Sequence, residues 1–193
     1  MSAKKSTAAA NSVRIIGGAW RRRVLRFPES VGLRPTPDRV RETLFNWLGQ
    51  DLQGLTCLDL FAGSGALGFE AASRGAAKVV MVEAAPGVLA ALEANAQMLL
   101  AGSRVEIVRS DAVKFAASTG LHFDVLFLDP PYHQGWIDRL IPLLPNILAQ
   151  SAAIYVESET ALDGLGDWRT VRQGKAGQVF YHLMRRGEPD DAE

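Results

Sequence analysis

From Thr56 onward short apolar runs alternate with helix-like stretches, and this alternation limits the possible folds more than any other feature of the chain. The apolar runs are TCLDLFA, KVVMVEA, RVEIVRSD, FDVLFLDP and AAIYVESE. Between them lie ALGFEAASRG, a stretch from Pro86 to Gly102, AVKFAAST and WIDRLIPLLPNILAQ, all with helical spacing or helix-boundary signals. Gly75 stops the first helix, because glycine accepts the left-handed conformation that ends one. Five strands alternating with four helices require parallel crossovers, and strands that are apolar throughout are covered on both faces. The tail WRTVRQGKAGQVFYHLMRR reads as two more strands around GKAG. The expected fold is α/β and Rossmann-like: a seven-stranded, mostly parallel sheet with helices on both faces and a C-terminal antiparallel hairpin. Ligands of such sheets bind beyond the carboxyl ends of the strands, where the strand order reverses.

The first strand-to-helix junction reads LDLFAGSGALG, with Gly63, Gly65 and Gly68 in G-x-G-x-x-G spacing. Glycines there let the backbone approach a ligand closely. Glu83 ends the second strand and is placed to bind ribose hydroxyls. Asp59 ends the first strand, where a pyrophosphate would be repelled by it. S-adenosylmethionine carries an ammonium and a sulfonium and no phosphate, so the same acid attracts it and the spacing favours this donor over NAD. Asp111 in RSDA is placed near an adenine, with the Ala112 N–H as a backbone donor. It is equally suited to cap the following helix.

Composition bounds the rest. At 193 residues the chain has room for one main domain, and 48% apolar with 22% charged residues is ordinary for a soluble globular protein. No apolar run approaches the roughly 18 residues of a membrane span, and MSAKKSTAAANS lacks a signal peptide's apolar core, so a cytoplasmic protein is expected. The lone Cys57 lies in an apolar run and reads as a small buried hydrophobe; no His/Cys cluster has metal-ligand spacing, and no metal is expected. The zero net charge divides unevenly: residues 1–50 hold ten basic and three acidic residues, a net +7, leaving −7 on the remaining 143. A basic end on an acidic body suits a polyanionic partner. In that end, VRIIGGAWRRRVLRF reads as a hairpin around Gly17-Gly18. RPTPDRVRETLFNWL reads as a helix capped by Thr36, with Pro37 and Asp38 in its first turn and Val40, Leu44, Trp47 and Leu48 as its apolar stripe. Arg34, Arg39 and Arg41 cluster at the opening of that helix, facing either phosphates or solvent. The chain therefore divides into a tail (1–11), a basic hairpin and helix (12–50), the α/β domain (51–186) and a second tail (187–193), both tails expected to be disordered.

The fourth strand ends in Asp129, Pro130, Pro131 and Tyr132. Two prolines fix two φ angles and remove two N–H donors, making a stiff acceptor surface beside the switch point. DPPY after an apolar strand, with DLFAGSG upstream, resembles the amino-methyltransferases that methylate exocyclic amines of bases. Together with RIIGGAWRRRVL, RPTPDRVRETLFNWL and LDLFAGSGALGFEAASRGA, in this order, it is similar to the RsmD family of bacterial 16S ribosomal RNA guanine-N2 methyltransferases. The resemblance spans residues 13–186 and implies a class I methyltransferase that uses S-adenosylmethionine and leaves S-adenosylhomocysteine. The implied catalytic residues are Asp129, Pro130 and Tyr132. The implied donor set is Asp59, Phe61, Gly63, Gly65, Glu83, Asp111 and Ala112. Arg14, Arg21, Arg22, Arg23, Arg34, Arg39 and Pro131 would meet 16S ribosomal RNA, within the small ribosomal subunit, and a monomer is the expected state. The competing readings are an adenine-N6 methyltransferase, which often has Asn in place of Asp129 and needs a target-recognition domain; an NAD-dependent oxidoreductase; and a non-catalytic nucleic-acid-binding protein.

Overall fold

The structure is a computed structural model and describes residues 11–29 and 35–187. Strands β1 (Asn11–Arg14) and β2 (Val24–Phe27) pair antiparallel, from Asn11 opposite Phe27 to Arg14 opposite Val24. Asn11, expected in the first tail, is thus in a strand, whereas the expectation for residues 1–10 and 188–193 falls outside the described residues. Val13, Leu25 and Phe27 point inward, following the two-residue period of a strand. Gly17-Gly18 does not close a tight turn. Residues 15–23 form a wider loop, held by Ile15 N–H donating to the Arg23 carbonyl and Arg22 N–H to the Ile15 carbonyl, both at 2.9 Å. The glycines press instead on a downstream helix end: a Cβ on Gly18, whose φ is 72°, would lie 1.8 Å from the Ser73 carbonyl oxygen. Only glycine meets both demands.

Helix α1 (Asp38–Leu48) follows Pro37 without a side-chain cap. Thr36 turns its hydroxyl inward to donate to Glu157 Oε1 at 2.9 Å, so a tertiary partner wins over the local cap. Val40 and Leu44 are buried as the stripe implies, Trp47 and Leu48 are half-buried, and Phe45 and Arg41 join them inside. Arg41 meets neither phosphate nor solvent; its side chain is fully buried.

The main body runs β3 (Thr56–Asp59), α2 (Ala66–Ser73), β4 (Lys78–Glu83), α3 (Pro86–Met98), β5 (Val105–Arg109), α4 (Ala112–Ser118) and β6 (Phe123–Leu128). It continues through α5 (Trp136–Leu140), α6 (Leu144–Ile147), β7 (Leu148–Ser158), β8 (Gly164–Leu165), β9 (Trp168–Ala176) and β10 (Val179–Arg186). The sheet order is β5-β4-β3-β6-β7-β10-β9-β8, the first five strands parallel and the last three joined antiparallel. The seven expected strands are present, and the two-residue β8 adds an eighth at the edge. WIDRLIPLLPNILAQ is not one helix: Pro142 and Pro145 lack N–H donors, and the stretch divides into α5, a 3₁₀ turn (Ile141–Leu143), α6 and the start of β7. Helix α3 likewise ends at Met98, before Gly102, with Leu100 at φ 54°.

Strand residues face two cores in alternation. Cys57, Met81, Val125, Phe127 and Tyr155 lie with the N-terminal hairpin, α1, α2 and α3, whereas Leu58, Val80, Leu126, Leu128 and Val156 lie with α4, α5 and α6. Order reverses between β3 and β6, where Asp59 stands opposite Phe127. Phe127 is fully buried with its ring 6.0 Å from that of Phe45 of α1, which ties the N-terminal helix to the sheet.

The hairpin is fastened by a buried carboxylate. Glu70 of α2 accepts from Ile16 N–H at 2.8 Å and Gly17 N–H at 2.7 Å, and from the guanidinium groups of Arg74 at 2.9 Å and Arg41 at 3.3 Å. Arg41 also donates to the carbonyls of Arg14 at 2.7 Å and Thr36 at 3.2 Å, and to Asp38 at 2.6 Å. Such a network is stabilising only when complete, since removing one partner leaves a buried charge unpaired. Asn95 of α3 completes the attachment by pairing like a strand edge, its amide accepting from Arg26 N–H at 3.1 Å and donating to the Arg26 carbonyl at 2.9 Å.

Candidate active site

Every parallel strand has an acid at or next to its carboxyl end: Asp59 as the last residue of β3, Glu83 as the last of β4, Asp111 beyond β5, Asp129 beyond β6 and Glu157 near the end of β7. The switch between β3 and β6 divides this carboxylate row into two halves.

In the first half, the glycine loop turns tightly from β3 into α2. Gly63 and Gly65 have φ of 48° and 77°, and Gly68 packs so closely on β4 that a Cβ there would lie 2.9 Å from the Met81 side chain. Asp59 is 2% exposed and accepts from Gly68 N–H at 3.1 Å, which ties the strand end to the helix start. Burial pushes its carboxyl up to about 7; the Gly68 and Phe61 amides pull it back, and the negative Glu83 adds to the rise. Glu83 is half-buried and fixed by two backbone donors, Gly63 N–H at 3.1 Å and Ala85 N–H at 2.8 Å. Asp111 does cap α4, its Oδ1 accepting from Val113 N–H at 3.0 Å and Lys114 N–H at 3.1 Å. Its Oδ2 and the Ala112 N–H find no partner among the described residues. These groups fit a nucleoside with a cationic tail: a fixed acid for ribose, an adjacent acceptor and donor for a base edge, and a buried acid for the positive charge. Phe61 is half-buried, its ring 5.3 Å from Trp136 in an edge-on contact, and Arg139 lies 3.9 Å over Trp136.

The second half holds the DPPY loop. Asp129 is half-buried, Pro130 is buried, and Pro131 and Tyr132 are exposed, Tyr132 at 37%. The loop is held from outside by Glu159, which accepts from His133 N–H at 2.6 Å, while His133 itself has φ 59°. Burial raises the Asp129 carboxyl well above its ordinary range, and the negative charges of Glu157 and Asp59 raise it further. Burial likewise raises the Tyr132 phenol. Beside Asp129 stands a group that the motif reading does not contain. Glu157 is 6% exposed, and its Oε1 accepts from Thr36 at 2.9 Å and from the Tyr155 hydroxyl at 2.8 Å. Burial raises its carboxyl, and these two hydroxyls pull it back toward the ionised form. The repeated acid at strand ends is the sequence signal for Glu157; nothing local points to Thr36 as its partner.

The basic residues lie elsewhere on the N-terminal segment. Arg21, Arg22 and Arg23 are exposed in the loop between β1 and β2, Arg39 is exposed on α1, and the Arg14 side chain is 63% exposed, 3.6 Å from Asp38. Arg34 is outside the described residues. Cys57 is buried and its thiol is pushed up to about 12, chiefly by burial, as befits an inert packing residue. Among the described residues no group of acids, histidines and cysteines is arranged to hold a metal, and no helix is long and apolar enough to cross a membrane.

This architecture has counterparts among known proteins. The fold is that of an RNA methyltransferase from Salinibacter ruber solved in complex with S-adenosyl-L-homocysteine, which is 20% identical and matches with a TM-score of 0.65 over 83% of this chain and 99% of that one. A putative methyltransferase from Escherichia coli is nearer in structure and sequence, with a TM-score of 0.83 and 47% identity over 91% of this chain and 98% of that one. In sequence, the ribosomal RNA small subunit methyltransferase D of Escherichia coli K12 is 45% identical over 97% of this chain and 98% of its own length. The family described as Conserved hypothetical protein 95 matches residues 13–185, which includes the basic hairpin as well as the sheet. With a match of that extent at both levels, the chain belongs to the RsmD family.

Proposed function

We propose that this protein methylates the exocyclic N2 amine of a guanine in the 16S ribosomal RNA of the small ribosomal subunit, with S-adenosylmethionine as donor. The observation that carries this reading is the stiff DPPY loop, with Asp129 at the sheet's switch point, adjoining the glycine loop and its fixed acids. The donor supplies an electrophilic methyl group on a positively charged sulfur. Asp59, Gly63, Gly65, Glu83, Asp111 and Ala112, with Phe61 at the strand end, bind and orient it.

The protein's remaining work is on the amine. A guanine N2 lone pair is delocalised into the ring and attacks poorly. Asp129 and the Pro130 carbonyl accept its N–H bonds, which draws the lone pair out of conjugation and aims it at the methyl. As the new N–C bond forms and the sulfur departs with the electrons of its methyl bond, the nitrogen becomes acidic and gives a proton to the carboxylate of Asp129. Tyr132 stacks on the extruded base, an interaction of about 1–3 kcal/mol, beside Pro131. Residues 12–50 act as an RNA-binding extension on the methyltransferase domain of residues 51–186. Arg14, Arg21, Arg22, Arg23, Arg34 and Arg39 meet phosphates there. Ribosome-bound RNA as the substrate fits a cytoplasmic, monomeric enzyme.

The test is transfer of labelled methyl groups from S-adenosylmethionine to small-subunit particles from cells lacking the enzyme. Incorporation into 16S RNA is expected; NAD binding without methyl transfer would overturn the reading.

A further inference from the structure

The acid near the end of β7 stands in register with the catalytic loop. Leu128 pairs with Val156 in the parallel β6-β7 ladder, so Asp129 and Glu157 follow as neighbours on strands roughly 4.8 Å apart. Side chains alternate along a strand. Phe127 and Tyr155 belong to the core beneath the N-terminal helices, so Asp129 and Glu157 project to that same side of the sheet, as Asp59 does opposite Phe127.

The carboxylate of Glu157 is used unevenly. Both of its hydrogen bonds, from Thr36 and from Tyr155, fall on Oε1. Oε2 has no donor among the described residues. One oxygen anchors the group and the other is offered to the space beside Asp129. If Glu157 served only to satisfy the Tyr155 hydroxyl, a Thr36 hydroxyl brought from 121 residues away on the same oxygen would be superfluous.

The chemistry of the base says what that oxygen meets. Next to its N2 amine guanine carries N1–H, so its Watson–Crick edge offers two adjacent donors. Adenine offers an N1 lone pair next to its amine. Resting on the guanine-N2 reading above, we propose that Glu157 is the specificity-determining residue, its Oε2 accepting guanine N1–H while Asp129 holds the N2 amine. An adenine in the same pose would set two acceptors against each other, and a site built around a hydrogen-bond donor rejects a base that lacks it strongly. Thr36 then acts as a positioning residue, linking the N-terminal segment to base selection.

The probe is a pair of small-subunit particles differing at one nucleotide. After the methylated guanine has been mapped, 16S RNA is rebuilt by ligation with either guanosine or 2-aminopurine there; the latter keeps the 2-amino group but lacks N1–H. The wild-type protein should prefer guanosine by on the order of 10²–10⁴-fold in kcat/KM. In E157Q, whose amide can donate to an N1 lone pair, that preference should shrink at least about tenfold while donor affinity by calorimetry stays the same. Equal losses on both particles, or an unchanged preference, would overturn the proposal. Should E157Q fail to fold, Thr36→Val keeps the carboxylate but loosens Oε1: the preference should fall about threefold to tenfold, and no change in it refutes the assignment. The wild-type rate on the guanosine particle reports the parent reading separately.

Discussion

The two halves of the proposed site are assembled by different means. The donor half lies between Asp59 and Ala112, where consecutive strand-loop-helix junctions each supply a group from their own turn. The acceptor half joins Asp129 to Thr36, Tyr155 and Glu157, brought together from the N-terminal segment, β6 and β7. A locally built half depends on backbone conformation, chiefly the positive φ at Gly63 and Gly65. A half built across the sheet depends on the packing of the N-terminal segment, and so on the Glu70 network that holds Arg41 against the Thr36 carbonyl.

Reciprocal substitutions break this comparison most sharply. Asp129→Ala should lower methyl transfer by on the order of 10³-fold while leaving S-adenosylmethionine affinity nearly unchanged, because its proposed work is on the amine. Glu83→Ala should do the converse, weakening donor binding by about tenfold to a hundredfold. Single-turnover rates and calorimetry separate the two, and loss of turnover in Glu83→Ala at unchanged donor affinity would contradict the division.

Glu70→Gln tests the support of the acceptor half. It leaves Arg74 buried without its counter-charge and Arg41 paired with Asp38 alone, at a cost of about 3–5 kcal/mol in stability by denaturant titration. In the protein that remains folded, transfer should suffer more than donor binding.

How much of this is legible in the sequence follows the same division. The parallel strands and the glycine loop can be read because each is written in a single local run. Thr36 looks like a helix cap because its neighbours Pro37 and Asp38 suit a helix start, yet a partner on β7 claims its hydroxyl. Arg41 reads as a surface residue although it shares a helical face with Leu44, Phe45 and Leu48, at i+3, i+4 and i+7. Glu70, the one charge in the otherwise apolar ALGFEAAS, carries the complementary signal: a charge buried there requires a partner. Both clues concern which face a residue occupies, and only the packed hairpin and helix decide that.

The donor half should also respond to pH. Burial raises the Asp59 carboxyl to about 7, so the stability it contributes is present below its ordinary range near 4 and is lost as pH rises through about 7. A cationic donor favours the ionised acid. Its affinity should therefore climb by up to about tenfold per pH unit between 4 and 7, then level off, with proton release seen by calorimetry in buffers of different ionisation enthalpy.

The smallest effect is expected farthest from the chemistry. Replacing Arg21, Arg22 and Arg23 with Gln should reduce the slope of log affinity for RNA against log salt by roughly 0.7–0.9 for each phosphate no longer neutralised, without touching donor binding. An unchanged slope would remove the exposed loop from the RNA interface.

The central claim is the identity of the amine, and the most direct measurement is mass mapping of the nucleoside made when the protein and S-adenosylmethionine meet small-subunit particles from cells lacking the enzyme. The expected product is N2-methylguanosine at a single position of 16S RNA, formed on the order of 10³-fold more slowly with Asp129→Ala. N6-methyladenosine, or methylation at an undiminished rate after the loss of Asp129, would contradict this identity.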